Sequence, residues 1–312
     1  MSQLPGASRN REDVQQGILL MVVAMLLLPG IDAIAKGVSD HVGAGQVTWS
    51  RFLFQTLLLL PFALMGGGLK VGKRLWVHAA RGFLIALATV LFFTSLKKMP
   101  LADAISIFFI EPFILTMMSV VFLGEKVGWR RLLALMAGFG GALIIIRPSY
   151  EVFGMTALLP VGAAFTFALY MVLSRMLVVG GSIVTMQFYA GVFGFLTMSV
   201  ALWVGYEIQF PVLTPVIPTL AEWMLLAGLG AIATGGHMLI VLAIRRVGAS
   251  MVAPFQYLEI ISATILGLVF FGDFPSSTTW IGVTIIIASG LYVFYRERRL
   301  AGELDALSPL KT

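Results

Sequence analysis

Apolar positions in this chain gather into long runs separated by short polar punctuation, at about 16–39, 46–65, 75–96, 100–123, 129–147, 153–177, 182–204, 220–244, 249–271 and 277–295. Each run is within or near the 17–25 residues that a helix needs to cross a bilayer. The pattern therefore predicts ten membrane-spanning helices and an all-α integral membrane protein. The longest connection, 205–219, holds Pro211, Pro215 and Pro218 and cannot be helical throughout.

The runs also repeat. Residues 97–125 open with Lys97-Lys98, carry Glu111-Pro112 at their middle and end in Gly124-Glu125. Adding 148 to each number gives 245–273, with Arg245-Arg246, Glu259 and Gly272-Asp273 in register, and the same offset maps Thr116 onto Thr264 and Gly82 onto Gly230. Five spans per half is an odd number, so the two halves enter the membrane in opposite orientations. Inverted repeats of this kind are how many secondary transporters build a site at the midplane that opens to each side in turn. The predicted organisation is an N-terminal tail over 1–15, a first repeat over 16–147, a second over 153–296 and a C-terminal tail over 297–312.

Composition narrows the class further. Of 312 residues, 59% are apolar and 12% charged, with mean hydropathy +0.97, where soluble domains carry about 25% charged residues. Having no cysteine removes disulfides, thiol chemistry and Cys-based metal sites. Arg9, Arg11, Glu12 and Asp13 precede an apolar run too long for a signal peptide, so that run is expected to be the first span. With the N-terminus inside, fifteen Lys and Arg fall on the inner side and four, Lys36, Lys97, Lys98 and Arg147, on the outer; Arg51 and Arg81, inside spans, complete the 21. This bias predicts cytoplasmic termini, and it accounts for the net charge of +6 without a nucleic-acid surface.

Against this background the intramembrane charges are the candidate chemistry. Glu111 and Glu259 lie about ten residues from either end of their spans, where an ionised group costs about 2.5 kcal/mol or more unless it faces protein or water. They could bind a substrate ammonium or couple transport to protons; equally, they could be hydrogen-bonded carboxyls that hold helices together. Asp32 and Lys36 share one helix face, and with Arg51 and Asp103 they are expected to form a charge cluster at the outer mouth, as a structural ion-pair network or, for Asp103, a helix cap. Arg81 lies one turn inside its span and is expected to snorkel to the cytoplasmic surface, with a place in the pathway as the alternative. His237, which faces Thr89 across the repeat, lines the pathway or is a packing histidine. Phe108, Tyr170 and Tyr257 could wall an apolar side chain. Pro29, Pro112 and Pro254 break helices that must otherwise satisfy their own backbone, freeing the carbonyls of Met25, Phe108 and Ser250. Ile260 stands where the first half has Pro112, so the two spans should kink differently. Ala134, Gly138 and Ala142 read as a close-packing stripe.

Several stretches together carry a resemblance: DAIAK from Asp32 to Lys36, TWSR from Thr48 to Arg51, LADAI around Asp103, Pro112 on to Leu123-Gly124-Glu125, GFGG from Gly138 on to Ile146-Arg147-Pro148, and APFQYLE from Ala253 to Glu259. Over nearly its whole length the chain resembles an EamA-type member of the drug/metabolite transporter superfamily, and within it the bacterial amino-acid exporters of the YddG kind. The resemblance implies two inverted five-helix repeats around a central cavity in the inner (plasma) membrane. It also implies export of small metabolites, amino acids including aromatic ones, by proton antiport or facilitated diffusion, with no cofactor and no metal. A zwitterion needs both signs of partner, which Glu111, Glu259, Asp32, Lys36, Arg51 and Arg81 supply. Other small solutes such as nucleosides, cationic drugs or cofactors are the alternative cargo. The absence of a GxxxxGK[ST] motif argues against ATP-driven transport by this chain. An intramembrane enzyme is disfavoured by only three scattered histidines, with no HExxH and no cysteine. A sensor or channel is disfavoured by the inverted halves.

Overall fold

In the computed structural model, which describes residues 11–65, 75–123, 128–177, 183–247 and 252–307, the described residues are helices and their connections, with no strand. The helices are α1 (Arg11–Leu27), α2 (Pro29–Val38), α3 (Ala44–Met65), α4 (Leu75–Leu96), α5 (Leu101–Phe108), α6 (Glu111–Leu123) and α7 (Trp129–Phe153), followed by α8 (Leu159–Leu177), α9 (Ile183–Glu207), α10 (Leu220–Val247), α11 (Leu258–Phe271) and α12 (Ser277–Leu307). Short 3₁₀ turns, Gly154–Leu158 and Ala253–Tyr257, precede α8 and α11. Seven helical stretches are long and apolar enough to cross a membrane. One of them, 132–174, contains both α7 and α8, and two shorter apolar helices lie at 255–271 and 277–292. Counting the double stretch as two, these make the ten predicted spans.

Several boundaries differ from the sequence reading, among them the start of α1, at Arg11 rather than about 16. α7 continues past Pro148 to Phe153, where Gly154 (φ 59°, ψ −139°) turns the chain in a conformation open only to glycine. α12 runs to Leu307, beyond the expected end at 295. The extension RERRLAGELDAL is rich in strong helix formers, so nothing local stops the helix at the end of its apolar stretch.

Three spans are broken near their middles. In the first, Pro29 cannot return a hydrogen bond to Met25, and Ile31 N–H bonds to Leu28 O at 2.9 Å instead. Ser262 Oγ, from α11, donates to the Leu26 carbonyl at 2.8 Å and so covers this opened turn. In the fourth span the break falls at Phe109-Ile110, with tightened bonds Ile110 N–H to Ile107 O and Phe113 N–H to Ile110 O, both 3.1 Å. In the ninth span the 3₁₀ turn gives way to α11 at Tyr257-Leu258. Those two breaks are 148 residues apart. They coincide in place and differ in kind, which is what Pro112 in one half and Pro254 in the other dictate; the Pro254 side chain lies outside the described residues. Phe109 and Tyr257, counterparts under the offset, stack on each other at 5.5 Å.

Packing between helices follows the same exchange of halves. α1 packs on α10 as α4 packs on α8, and α4 packs on α9 as α10 packs on α3. Glycine fixes the close approaches. A Cβ on Gly82 would strike Phe193 of α9, and one on its counterpart Gly230 would strike Phe54 of α3. α7 and α12 form a pair of their own. Ala134 and Ala142 of the predicted stripe are buried, and Gly138 lies where a Cβ would come within 2.6 Å of Ser289 Oγ. Gly141 and Gly282 meet backbone to backbone in the same seam.

Candidate functional site

The three breaks converge on one cavity. Asp32 is in the first turn of α2, Glu111 in the first turn of α6 and Glu259 in the first turn of α11. Each carboxylate therefore sits near the positive end of a half-helix dipole, an arrangement that favours an anion by about 0.3–1 kcal/mol. All three line a central chamber of about 260 Å³, together with Arg51 from α3, Thr89 and Phe92 from α4, Phe108 from α5, Phe167 from α8, His237 from α10 and Gln256. Asp32 and Glu259 are close enough to act on each other electrostatically, as are Asp32 and Arg51. Neither Asp32, Glu259 nor Arg51 has an ion-pair partner among the described residues.

A second chamber of about 170 Å³ adjoins the first and shares Arg51, Ile85, Phe167, His237 and Ile240 with it. Gln55, Tyr170, Gln187 and Thr234 add its polar groups. Arg51 is buried, donates to Thr89 Oγ1 and lies over the Phe52 ring at 5.0 Å. His237 Nδ1 is 2.7 Å from Ala233 O, which can only accept, so Nδ1 carries a proton and Nε2 is the nitrogen left for the chamber. Phe92, Phe108, Phe167 and Tyr170 follow one another at centroid distances of 5.5–5.6 Å, giving both chambers a continuous aromatic wall.

Arg81 does not snorkel. It is only 2% exposed and donates to Ser174 Oγ at 2.8 Å, Tyr170 Oη at 3.2 Å and Met186 O at 3.4 Å. It also lies over the Tyr170 ring. Polar partners on α8 and α9 satisfy the guanidinium inside the protein, so it has no need to reach the surface. It supports the wall of the second chamber without lining it. Tyr257 likewise stands behind the central chamber, its hydroxyl pressed on Gly290 of α12.

The four charges expected at one mouth divide. Asp32 and Arg51 face the central chamber. Lys36 pairs with Asp273, donates to Met99 O at 2.8 Å and lies 5.1 Å from the Phe271 ring centroid. Asp103 accepts from Thr279 Oγ1 at 2.8 Å and caps no backbone N–H of its own helix. Sequence reasoning missed the Lys36–Asp273 pair because the residues are 237 positions apart. It also missed Gln55, Gln187 and Gln256, ordinary residues that only the fold brings to the chambers.

A bundle of long apolar helices, three of them broken beside a cavity that holds Asp32, Arg51, Glu111 and Glu259, is the architecture of a membrane transporter. The chain belongs to the EamA-like transporter family, whose sequence profile matches residues 15–147 and again 154–295. It is 29% identical over 285 residues to an S-adenosylmethionine uptake transporter of Rickettsia bellii, covering 91% of this chain and 94% of that one. A riboflavin transporter of Vibrio cholerae is also 29% identical, over 89% of this chain and 92% of its own length. A pseudopaline exporter of Pseudomonas aeruginosa is 26% identical, over 88% and 95%. A crystal structure of a protein with 19% identity superposes with a TM-score of 0.62 over 92% of this chain and 99% of that one, which supports the fold alone. The names of these relatives include both uptake and export, and none mentions amino-acid export.

Proposed function

We propose that this protein is a secondary transporter that moves small zwitterionic metabolites, amino acids with aromatic side chains first among them, out of the cytoplasm by alternating access. The observation that carries this reading is the placement of Asp32, Glu259 and Arg51 on one chamber with no ion-pair partner among the described residues. Charges at the midplane cost about 2.5 kcal/mol or more each, and a cargo bearing an ammonium and a carboxylate would offset that cost. The aromatic wall suits an apolar side chain. S-adenosylmethionine, named for one relative, also joins an amino-acid head to an aromatic base.

The central chamber of about 260 Å³ is enough for an amino acid. With the adjoining chamber of about 170 Å³ the space reaches the range of about 300–1,000 Å³ of pockets for drug-sized ligands, so riboflavin and S-adenosylmethionine are the cargoes to test beside amino acids. The basic residues expected on the N-terminal side support a cytoplasmic N-terminus, and export is proposed in that frame. Proteoliposomes test it. Labelled phenylalanine or tryptophan should exchange across the bilayer only when protein is present, faster than riboflavin or S-adenosylmethionine. Vesicles of defined protein orientation should release it from the cytoplasmic to the outer side. Exchange of riboflavin or S-adenosylmethionine alone would overturn the assignment of cargo.

A further inference from the structure

We infer that Arg51 reads the substrate carboxylate at the waist between the two chambers and is the residue that selects an α-amino acid over the corresponding amine or amide. The inference rests on the amino-acid reading above and gives its recognition a specific residue.

Elimination and geometry lead to the same group. Lys36 is committed to Asp273 and Met99, and the donors of Arg81 are directed to Ser174, Tyr170 and Met186 behind the wall. His237 uses Nδ1 on Ala233. Arg51 is thus the permanent cation lining the chambers among the described residues, and it lines both. It is 9% exposed, and its Nε is buried with no hydrogen-bond partner. Thr89 anchors Nη1, and the Phe52 ring under the guanidinium limits its movement. What remains is a held planar fork with donors to spare and no carboxylate in ion-pair range among the described residues, which matches the two oxygens of a carboxylate. A ligand ammonium would then lie toward Asp32 and Glu259, with the side chain along Phe92, Phe108 and Phe167.

Binding of phenylalanine, phenylalaninamide and phenethylamine to the detergent-purified protein, read by ligand-dependent thermal shift and by competition with labelled phenylalanine, tests this. The wild-type protein should bind phenylalanine about tenfold or more tightly than the amide or the amine, the factor of one charge-assisted hydrogen bond. Arg51→Gln should bring the three ligands to within about twofold of one another, and Arg51→Lys should restore part of the preference. Thr89→Val, which leaves the cation and removes its anchor, should weaken the preference less than Arg51→Gln does. Equal binding of the three ligands by the wild-type protein overturns the inference whatever the variants do. Phenylalanine binding with undiminished preference in Arg51→Gln overturns it while leaving the proposed function standing. Phenylalanine that neither binds to nor crosses with the wild-type protein overturns both.

Discussion

At the scale of single residues, the placement of charge distinguishes structural groups from candidate functional ones. Arg81 is a charge deep in the protein whose hydrogen bonds are met by a hydroxyl, a phenol and a carbonyl. Asp32, Glu259 and Arg51 face a cavity without an ion pair among the described residues. Glu111 shares that cavity and is the repeat counterpart of Glu259. Being 148 residues apart in inverted halves, the two glutamates are suited to the same task on alternate sides of one site. If they couple transport to protons, Glu111→Gln and Glu259→Gln each flatten the dependence of phenylalanine flux on pH while leaving thermal stability within a few degrees of wild type. Unchanged pH dependence in both variants removes that role and leaves them as binding or packing carboxylates.

At the scale of elements, the breaks in the first, fourth and ninth spans place three carboxylates at helix N-termini facing one space. A continuous helix at the same positions would place no positive dipole end at this space. The ninth-span break is held from outside by α12, since Tyr257 fills the space above Gly290 and stacks on Phe109 of the other half. Gly290→Ala forces the phenol to move and lowers stability by about 1–3 kcal/mol, the range for overpacking a close contact, read as a drop in melting temperature in detergent. Combining it with Tyr257→Ala should cost less than the two single losses together, because both act on one contact. Strict additivity would show that the contact does not couple the two helices.

At the scale of the molecule, several contacts between halves gather where α2, α5 and α11 meet their connections. Lys36 of α2 joins Asp273 after α11, Asp103 of α5 joins Thr279 of α12, and Gly45 N–H bonds to Val212 O across the loop between α9 and α10. The Lys36–Asp273 pair is 15% and 28% exposed, between the surface pairs worth about 0–1 kcal/mol and the buried pairs that cost about 3–5 kcal/mol to break. In the alternating-access reading it holds its end of the molecule shut. Asp273→Asn should then make a cysteine introduced at Ala88 react several-fold faster with a membrane-impermeant thiol reagent applied from this end. The chain has no cysteine of its own to confuse the readout. Charge reversal, Lys36→Asp with Asp273→Lys, should return the rate toward that of the parent, and an unchanged rate in Asp273→Asn would show that the pair does not gate.

The sequence by itself determined the class of the protein. A helix in hydrocarbon must be long, apolar and self-satisfied, so ten runs and their spacing were legible without a fold, as were the 148-residue repeat and the central glutamates. Pro29, Pro112 and Pro254 also marked the three broken spans, whereas α3 and α7 run on through Pro61 and Pro148, so proline alone does not decide where a helix breaks. Only the tertiary structure decided which charges meet. Lys36 and Asp273 are 237 residues apart, and Asp103 and Thr279 are 176 apart, so no local spacing encodes either contact. Arg81 lies in a span where snorkelling and burial look alike in sequence, and the hydroxyls of Ser174 and Tyr170 on another helix select burial. Arg51 illustrates the same division: its position in a span was plain from the sequence, whereas its place between two chambers depends on the nine other helices that line them. Local chemistry determines what a membrane helix can be, and packing between helices decides which of its few charges face the cavity.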